Sequence, residues 1–304
     1  MIITPIRGTD GSVMGAVLMQ WKKRENLFTE DDLKMLESFT VFISISIERS
    51  KVKAQTTIGT AEAEVRQTFD ENERKNTSLI DKFKPSQDEV KLFLSRSFNS
   101  IDFDDFKLIF SFFDLLQIRP SIPIPNETLY CFIYLLRNSY NPDFMHDWNH
   151  AKETAQFLVH VLVNGEISSS FSAKEKFELL IACLSHDAGY NRRESIEIPL
   201  SLLYGKKSEI ESHHVASLIQ IAAKQQCNIF ECFEDNNKKE FTEVWNNVIE
   251  LILATDMSAH FDLIDQIQDV LMIDKSFTKP ENRLLLMKLL VMMCDISVIA
   301  RVCK

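Results

Sequence analysis

Hydrophobic and polar positions follow two periods along the 304-residue chain, and the change from one to the other comes early. Met1 to Arg7 is a short apolar run, Asp10-Gly11 is a tight-turn dipeptide, and Val13 to Gln20 supplies a return strand. From Phe28 the period lengthens to that of a helix. Thr29 stands where an N-cap belongs, and Asp32, three residues on, is an acidic variant of the capping-box partner. Leu33, Leu36, Phe39, Phe42, Ile43 and Ile47 then recur at helical spacing. Residues 49–90 are polar and mixed in charge (Lys51, Lys53, Glu62, Glu64, Arg66, Glu71, Glu73, Arg74, Lys75), which predicts a solvated linker helix or helix pair. From Phe93 onward almost everything has helical period, broken by polar loops at Pro120–Pro125 and Glu234–Lys239. The expected architecture is mainly all-α behind a small α/β unit.

Composition narrows the functional classes. Only 7 glycines and 8 prolines favour long helices over many turns. A formal charge of −10 argues against a nucleic-acid surface, because phosphate contacts need clustered Lys and Arg. The most apolar run, Leu284 to Ala300, is interrupted by Lys288 and Asp295, so no membrane span is expected. Met1-Ile2-Ile3-Thr4-Pro5 lacks the layout of a signal peptide. The 6 cysteines form no paired CxxC signature and read as reduced, buried thiols of a cytoplasmic protein.

Histidine is rare, with 7 in the chain, yet all but His160 fall in short patches beside carboxylates. His146-Asp147-Trp148-Asn149-His150 places two imidazoles on one face if the segment is helical. Ser185-His186-Asp187 follows the apolar run Phe177–Leu184 and sets an imidazole and a carboxylate at the end of a buried helix. Glu211-Ser212-His213-His214 is a third patch, and Asp256 with His260 a fourth. Asp295 is embedded in an apolar helix, where an unpaired carboxylate is costly and calls for a cation or strong donors opposite it. Any one of these residues alone reads as a packing residue or a cap, as His160 does. Together, His-x3-His, a His-Asp pair and a distant Asp form the ligand set of an HD-type metal site in that chain order. Imidazole with carboxylate suits Zn²⁺, Mn²⁺ or Fe, and an oxygen-rich neighbouring site favours Mg²⁺.

The same segments resemble the catalytic domain of class I 3′,5′-cyclic nucleotide phosphodiesterases of the GAF-domain-containing type. "HDWNHAKETAQ" is similar to that family's HNWxHAxxTAQ signature, "LIACLSHD" to its second metal motif, and "IESHH" to its E-x-H-H segment. "ILATDMSAH" and "VMMCDIS" resemble its ATDM segment and its final ligand helix. In front, "LFTEDDLKMLESF" with its hairpin resembles the C-terminal half of a GAF domain. The resemblance divides the chain into a GAF remnant at 1–50, a linker at 51–90 and a catalytic domain at 91–304 lacking its final helices, hence a chain cut at both ends. It implies hydrolysis of cyclic AMP or cyclic GMP to 5′-monophosphates in signal transduction. His150, His186, Asp187 and Asp295 would hold the tighter metal, zinc. Asp187 would bridge to a second metal, magnesium or manganese, and His146 would be the general acid. Glu211 and Asp256 would stand behind the ligands, with His213 and His214 packing nearby. A homodimer through the GAF remnant and linker helix is the implied partner arrangement.

Three departures from the family pattern are visible. Asp147 replaces the usual Asn after the acid histidine. Tyr190 takes the place of a histidine that supports the second metal. The segment bearing the base-recognising glutamine and the clamping aromatic is not in the chain. Two other readings therefore stay open on the residues: a catalytically silent regulatory module, and an HD-type phosphohydrolase acting on another phosphoester. The HNWxHA-like and ATDM-like segments speak against the last.

Overall fold

The computed structural model describes residues 1–8, 11–20, 28–68, 83–96, 98–143, 145–189, 204–205, 207–234, 238–273 and 277–297. Asp10, Tyr190 and Cys303 lie outside them, as does part of the expected linker and of the Glu234–Lys239 loop. The chain divides into two units, Met1–Glu64 and Val65–Lys304.

In the first unit, β1 (Ile2–Arg7) pairs antiparallel with β2 (Val13–Met19), Ile2 opposite Met19 and Pro5 opposite Ala16, with an irregularity at Ile6/Arg7. A 39-residue helix, α1 (Glu30–Thr68), follows, so the first part of the expected linker continues the helix begun at Thr29. Its start is the reciprocal cap read from the sequence: Asp32 accepts from Thr29 N at 2.7 Å and Thr29 Oγ1 accepts from Asp32 N at 3.3 Å. The buried seam of α1 is not its largest apolar residues. Leu36, Thr40 and Ser44 are buried, and Ser44 Oγ donates to Arg7 O at 2.6 Å, while Phe39 and Phe42 are exposed. A two-stranded hairpin approached this closely selects small side chains on the helix face that meets it.

The second unit is helical: α2 (Gln87–Phe93), α3 (Asp105–Leu115), α4 (Asn126–Ser139), α5 (Trp148–Asn164), α6 (Ala173–Ser185), α7 (Glu209–Ala222), the single turn α8 (Glu231–Glu234), α9 (Lys238–Leu253), α10 (His260–Ile273) and α11 (Pro280–Ile296). Sequence chemistry sets several starts. Ser86 with Glu89 and Ser172 with Glu175 form capping boxes, Asp104 caps α3, and Pro280 opens α11, where its missing N–H costs nothing. Helix α6 is the hub, packed by α5, α7, α9 and α11. All of its residues from Lys176 to Ser185 are buried, as the apolar run demands. Phe177 meets Phe230 and Phe233 with ring centroids 5.4 and 5.2 Å apart. Among the described residues, seven phenylalanines are fully buried (Phe93, Phe110, Phe112, Phe113, Phe132, Phe177, Phe230), each contributing roughly 1.5–3 kcal/mol by leaving water. That aromatic core fixes the helix ends from which the polar patches project.

Cys131, Cys183, Cys227, Cys232 and Cys294 are free thiols, Cys232 half-buried and the rest buried. Among the described residues no helix is long and apolar enough to cross a membrane.

Candidate metal centre

His150, His186, Asp187 and Asp295 meet at one point, brought there by three helices. Asp147 is the N-cap of α5; its Oδ1 accepts from His150 N at 3.0 Å and its Oδ2 from Asn149 Nδ2 at 2.9 Å. The cap orders the first turn, from which His150 projects. His186 is the C-cap residue of α6, with Asp187 directly after it. Asp295 lies in the last turn of α11. His146 is not on the α5 face the spacing predicts. The helix begins at Trp148, because Asp147 adopts the extended conformation of a cap (φ −90°, ψ −176°). The two rings still converge, their centroids 5.2 Å apart.

The donor atoms are close-set. His150 Nε2 lies 3.0 Å from His186 Nε2, 2.9 Å from Asp295 Oδ1 and 3.5 Å from Asp187 Oδ2. His186 Nε2 lies 3.1 Å from Asp187 Oδ2 and 3.3 Å from Asp295 Oδ1. Both His150–Asp187–His146 and His150–His186–Asp295 can hold a metal ion. His186 Nδ1–H donates to Cys183 O at 2.9 Å, which fixes the ring plane and turns Nε2 toward the cluster. Two carboxylates converging on two imidazole lone pairs suit a divalent ion of the Zn²⁺, Mn²⁺ or Fe type. On this chemistry the residues present fit a metal.

Burial pushes the Asp187 carboxyl up, but the charges of His186 and His146 outweigh it and hold it well below the usual carboxylate range. Asp295 is likewise depressed, burial being outweighed by hydrogen bonds from His150 and His186. His146, its side chain 44% exposed, bonds Asp187 Oδ2 through Nδ1 at 2.8 Å, and that bond raises its pKa.

Behind the donors, α7 grips the turn after Asp187. His214 Nδ1–H donates to Ala188 O at 2.8 Å and His213 Nε2–H to Gly189 O at 3.0 Å. Gly189 is required: its φ is +76° and a Cβ there would stand 2.1 Å from Ser217 Oγ. Burial pushes His214 down to about 4. Glu211, half-buried, is pushed up by burial and then by the charges of Asp256 and Asp187. Asp256 is spent on structure, accepting from Ser208 Oγ at 2.7 Å and Ser258 N at 2.8 Å. His160 bonds Leu94 O at 2.6 Å, a packing role as expected. Sequence reading missed Tyr140, whose hydroxyl donates to Leu184 O at 2.7 Å and whose ring lies 5.5 Å from that of Trp148, tying the end of α6 to the start of α5.

Residues 145–304, just over half of the chain, match PDEase_I, the 3′5′-cyclic nucleotide phosphodiesterase family, and the chain belongs to that family. Among curated relatives, the cGMP-specific 3′,5′-cyclic phosphodiesterase of Drosophila yakuba is 23% identical over 99% of this chain and 27% of its own length. That of Drosophila melanogaster is 22% identical over 99% of this chain and 28% of its own length. The chain thus spans under a third of these relatives. The phosphodiesterase domain of a RhoPDE fusion protein from the choanoflagellate Salpingoeca rosetta shares the fold, with a TM-score of 0.60 at 24% identity over 67% of each chain. LmjPDEB1 in complex with IBMX gives 0.61 at 22% identity, over 77% of this chain and 72% of that one.

Proposed function

We propose that the chain carries the metal-dependent hydrolytic centre of a 3′,5′-cyclic nucleotide phosphodiesterase, opening the cyclic phosphodiester to a 5′-monophosphate. The observation that carries the reading is the convergence of His150, His186, Asp187 and Asp295 with His146 at the exposed edge of the same cluster. His150, His186, Asp187 and Asp295 would hold a zinc ion, and Asp187 would also serve a magnesium or manganese ion. Such ions would supply Lewis-acid charge for the phosphate oxygens and lower the pKa of a water.

The chain's own residues do the rest. Asp187 orients His146 through Nδ1 and favours its protonated form, so the ring holds a proton at Nε2 for the departing 3′ oxygen. A water that has lost one proton to solvent bonds through oxygen to phosphorus, the P–O3′ bond breaks, the 3′ oxygen leaves with the His146 proton, and solvent returns a proton to His146. Glu211 and Asp256 are assigned to the wall of the site behind the ligands. Tyr190, outside the described residues, is assigned with Glu211 and Asp256 as a residue near the ligands or the substrate. Because the curated relatives are named cGMP-specific, cyclic GMP is the first substrate to assay. We further read residues 1–50 as part of a GAF domain, 51–90 as linker and 91–304 as catalytic, in a cytoplasmic homodimer joined through the first two.

The test is hydrolysis of both cyclic nucleotides by the purified chain with Mg²⁺ or Mn²⁺, beside Asp187→Ala. Turnover abolished in the variant supports the reading. Equal rates in the two proteins, or none in a folded wild type containing metal, overturn it.

A further inference from the structure

The surface between α7 and α9 holds a cavity of about 320 Å³ that takes no part in the metal centre. Phe241, Trp245 and Ile249 stand one turn apart on α9 and line one wall, with Ile219, Ala222 and Ala223 from the end of α7 opposite. The three α9 residues are half-buried, whereas the seam that α9 turns to the core is Val244, Val248, Leu251 and Ile252. Helix α9 thus carries a second apolar stripe, which the alanines of α7 are too small to cover, and Ile219 is left 42% exposed. Trp245 is held by Phe230, the ring centroids 3.9 Å apart and the planes at 20°. Two donors stand beside these walls. Asn228, also in the lining, accepts from Phe230 N through Oδ1 at 3.2 Å, which identifies the oxygen and leaves the Nδ2 protons to give. Lys224 directly follows the lining Ala223 and is half-buried, and its ammonium has no hydrogen bond or ion pair among the described residues. Burial lowers its pKa, and the group that acts against this is the Cys227 thiol, next to Asn228. In a chain of net charge −10, a half-buried ammonium without a carboxylate is a cation in want of an anion.

We propose that this cavity binds a short single-chain carboxylic acid, its alkyl chain between Trp245 and the α7 alanines and its carboxylate on Lys224 Nζ and Asn228 Nδ2. None of the metal donors lines the cavity, so the site stands or falls apart from the phosphodiesterase reading. At about 320 Å³ the space is at the lower end of what small ligands occupy, which fits one short chain. A two-chain lipid would leave most of its apolar surface in water. Each CH₂ buried against the walls tightens binding about fourfold, and the carboxylate supplies the charged acceptor that both donors lack.

The experiment titrates the purified chain with sodium octanoate and sodium decanoate, with decanol and decyltrimethylammonium as neutral and cationic controls. Binding is read by calorimetry and by tryptophan fluorescence. In the wild type decanoate binds roughly tenfold tighter than octanoate and tighter than either control. Lys224→Met keeps an unbranched apolar stem without the charge. There decanoate weakens about tenfold, toward the affinity of decanol, while decanol itself is unmoved. Ala223→Phe fills the cavity from an exposed position and abolishes binding of both; circular dichroism checks the fold of each variant. Decanoate binding that is absent, that survives Ala223→Phe, or that is unchanged in Lys224→Met overturns the inference. Equal affinity for decanoate, decanol and the ammonium also overturns it, because the groove would then be an apolar face without selection for an anion. Should a variant not fold, the wild-type series still decides, since charge and chain length vary in the ligand alone.

Discussion

Glu178 sits in the middle of α6, fully buried, with both carboxylate oxygens 3.2 Å from Asn247 Nδ2 on α9. Lys174 and Glu175 on its own helix and Glu243 on α9 are the charged groups that face it, and Lys174 is engaged with Glu243 at 3.1 Å. Burial raises its pKa from 4.5 to about 8. Below pH 4.5 the group is protonated in both folded and unfolded chains and stability is insensitive to it. Between there and about pH 8 only the folded chain keeps the proton. Stability therefore falls as pH rises, by up to about 1.4 kcal/mol per pH unit and roughly 4–5 kcal/mol in all. Glu178→Gln keeps the shape and stays neutral. Urea unfolding followed by tryptophan fluorescence, with wild type and variant in matched buffers from pH 4.5 to 8.5, reads the difference. The two proteins should be nearly equal at the acid end, with Glu178→Gln about 3 kcal/mol more stable at pH 7. Parallel pH curves, with a constant gap between the two, would refute the reasoning that a neutral Glu178 holds α6 against α9.

Asp147→Ala removes the cap that orders the His150 turn and should cost about 1 kcal/mol in thermal unfolding, with Asp147→Asn close to wild type. If alanine and asparagine melt alike, the cap has no share in stability. Gly189→Ala forces a side chain onto a backbone at φ +76° and against Ser217 Oγ. A loss of about 2 kcal/mol or more is expected, together with weaker metal binding measured by titration calorimetry. A variant as stable and as metal-loaded as wild type would show that the turn tolerates a Cβ.

The helical architecture was legible because the 3.6 period persists from Phe93 onward, and the members of the His–Asp cluster because rare histidines lie beside carboxylates. What the pattern does not carry is which backbone comes to meet a side chain. His213 and His214 read as packing residues because their partners are carbonyls 24 to 26 residues away, set by how α7 crosses the end of α6. His146 and His150 do not share a helix for a local reason: an Asp three residues before His150 is an N-cap signal, and it moves the helix start past the first histidine. Glu178 carried the same sequence clue as Asp295, a charge inside an apolar run, without a histidine nearby to draw attention to it. On α1 the hydrophobic positions pointed to Phe39 and Phe42, but close approach of the hairpin selects Thr40 and Ser44.

His150 and Asp295 are 145 positions apart in sequence and 2.9 Å apart in space. An ion held between them is a crosslink closing a loop of that length, and a tie of this size removes roughly 4–5 kcal/mol of entropy from the unfolded chain. The last knot of that tie is also the last to be translated. A metal held by all four residues would need Asp295 in place, because α11 carries the last of them in chain order.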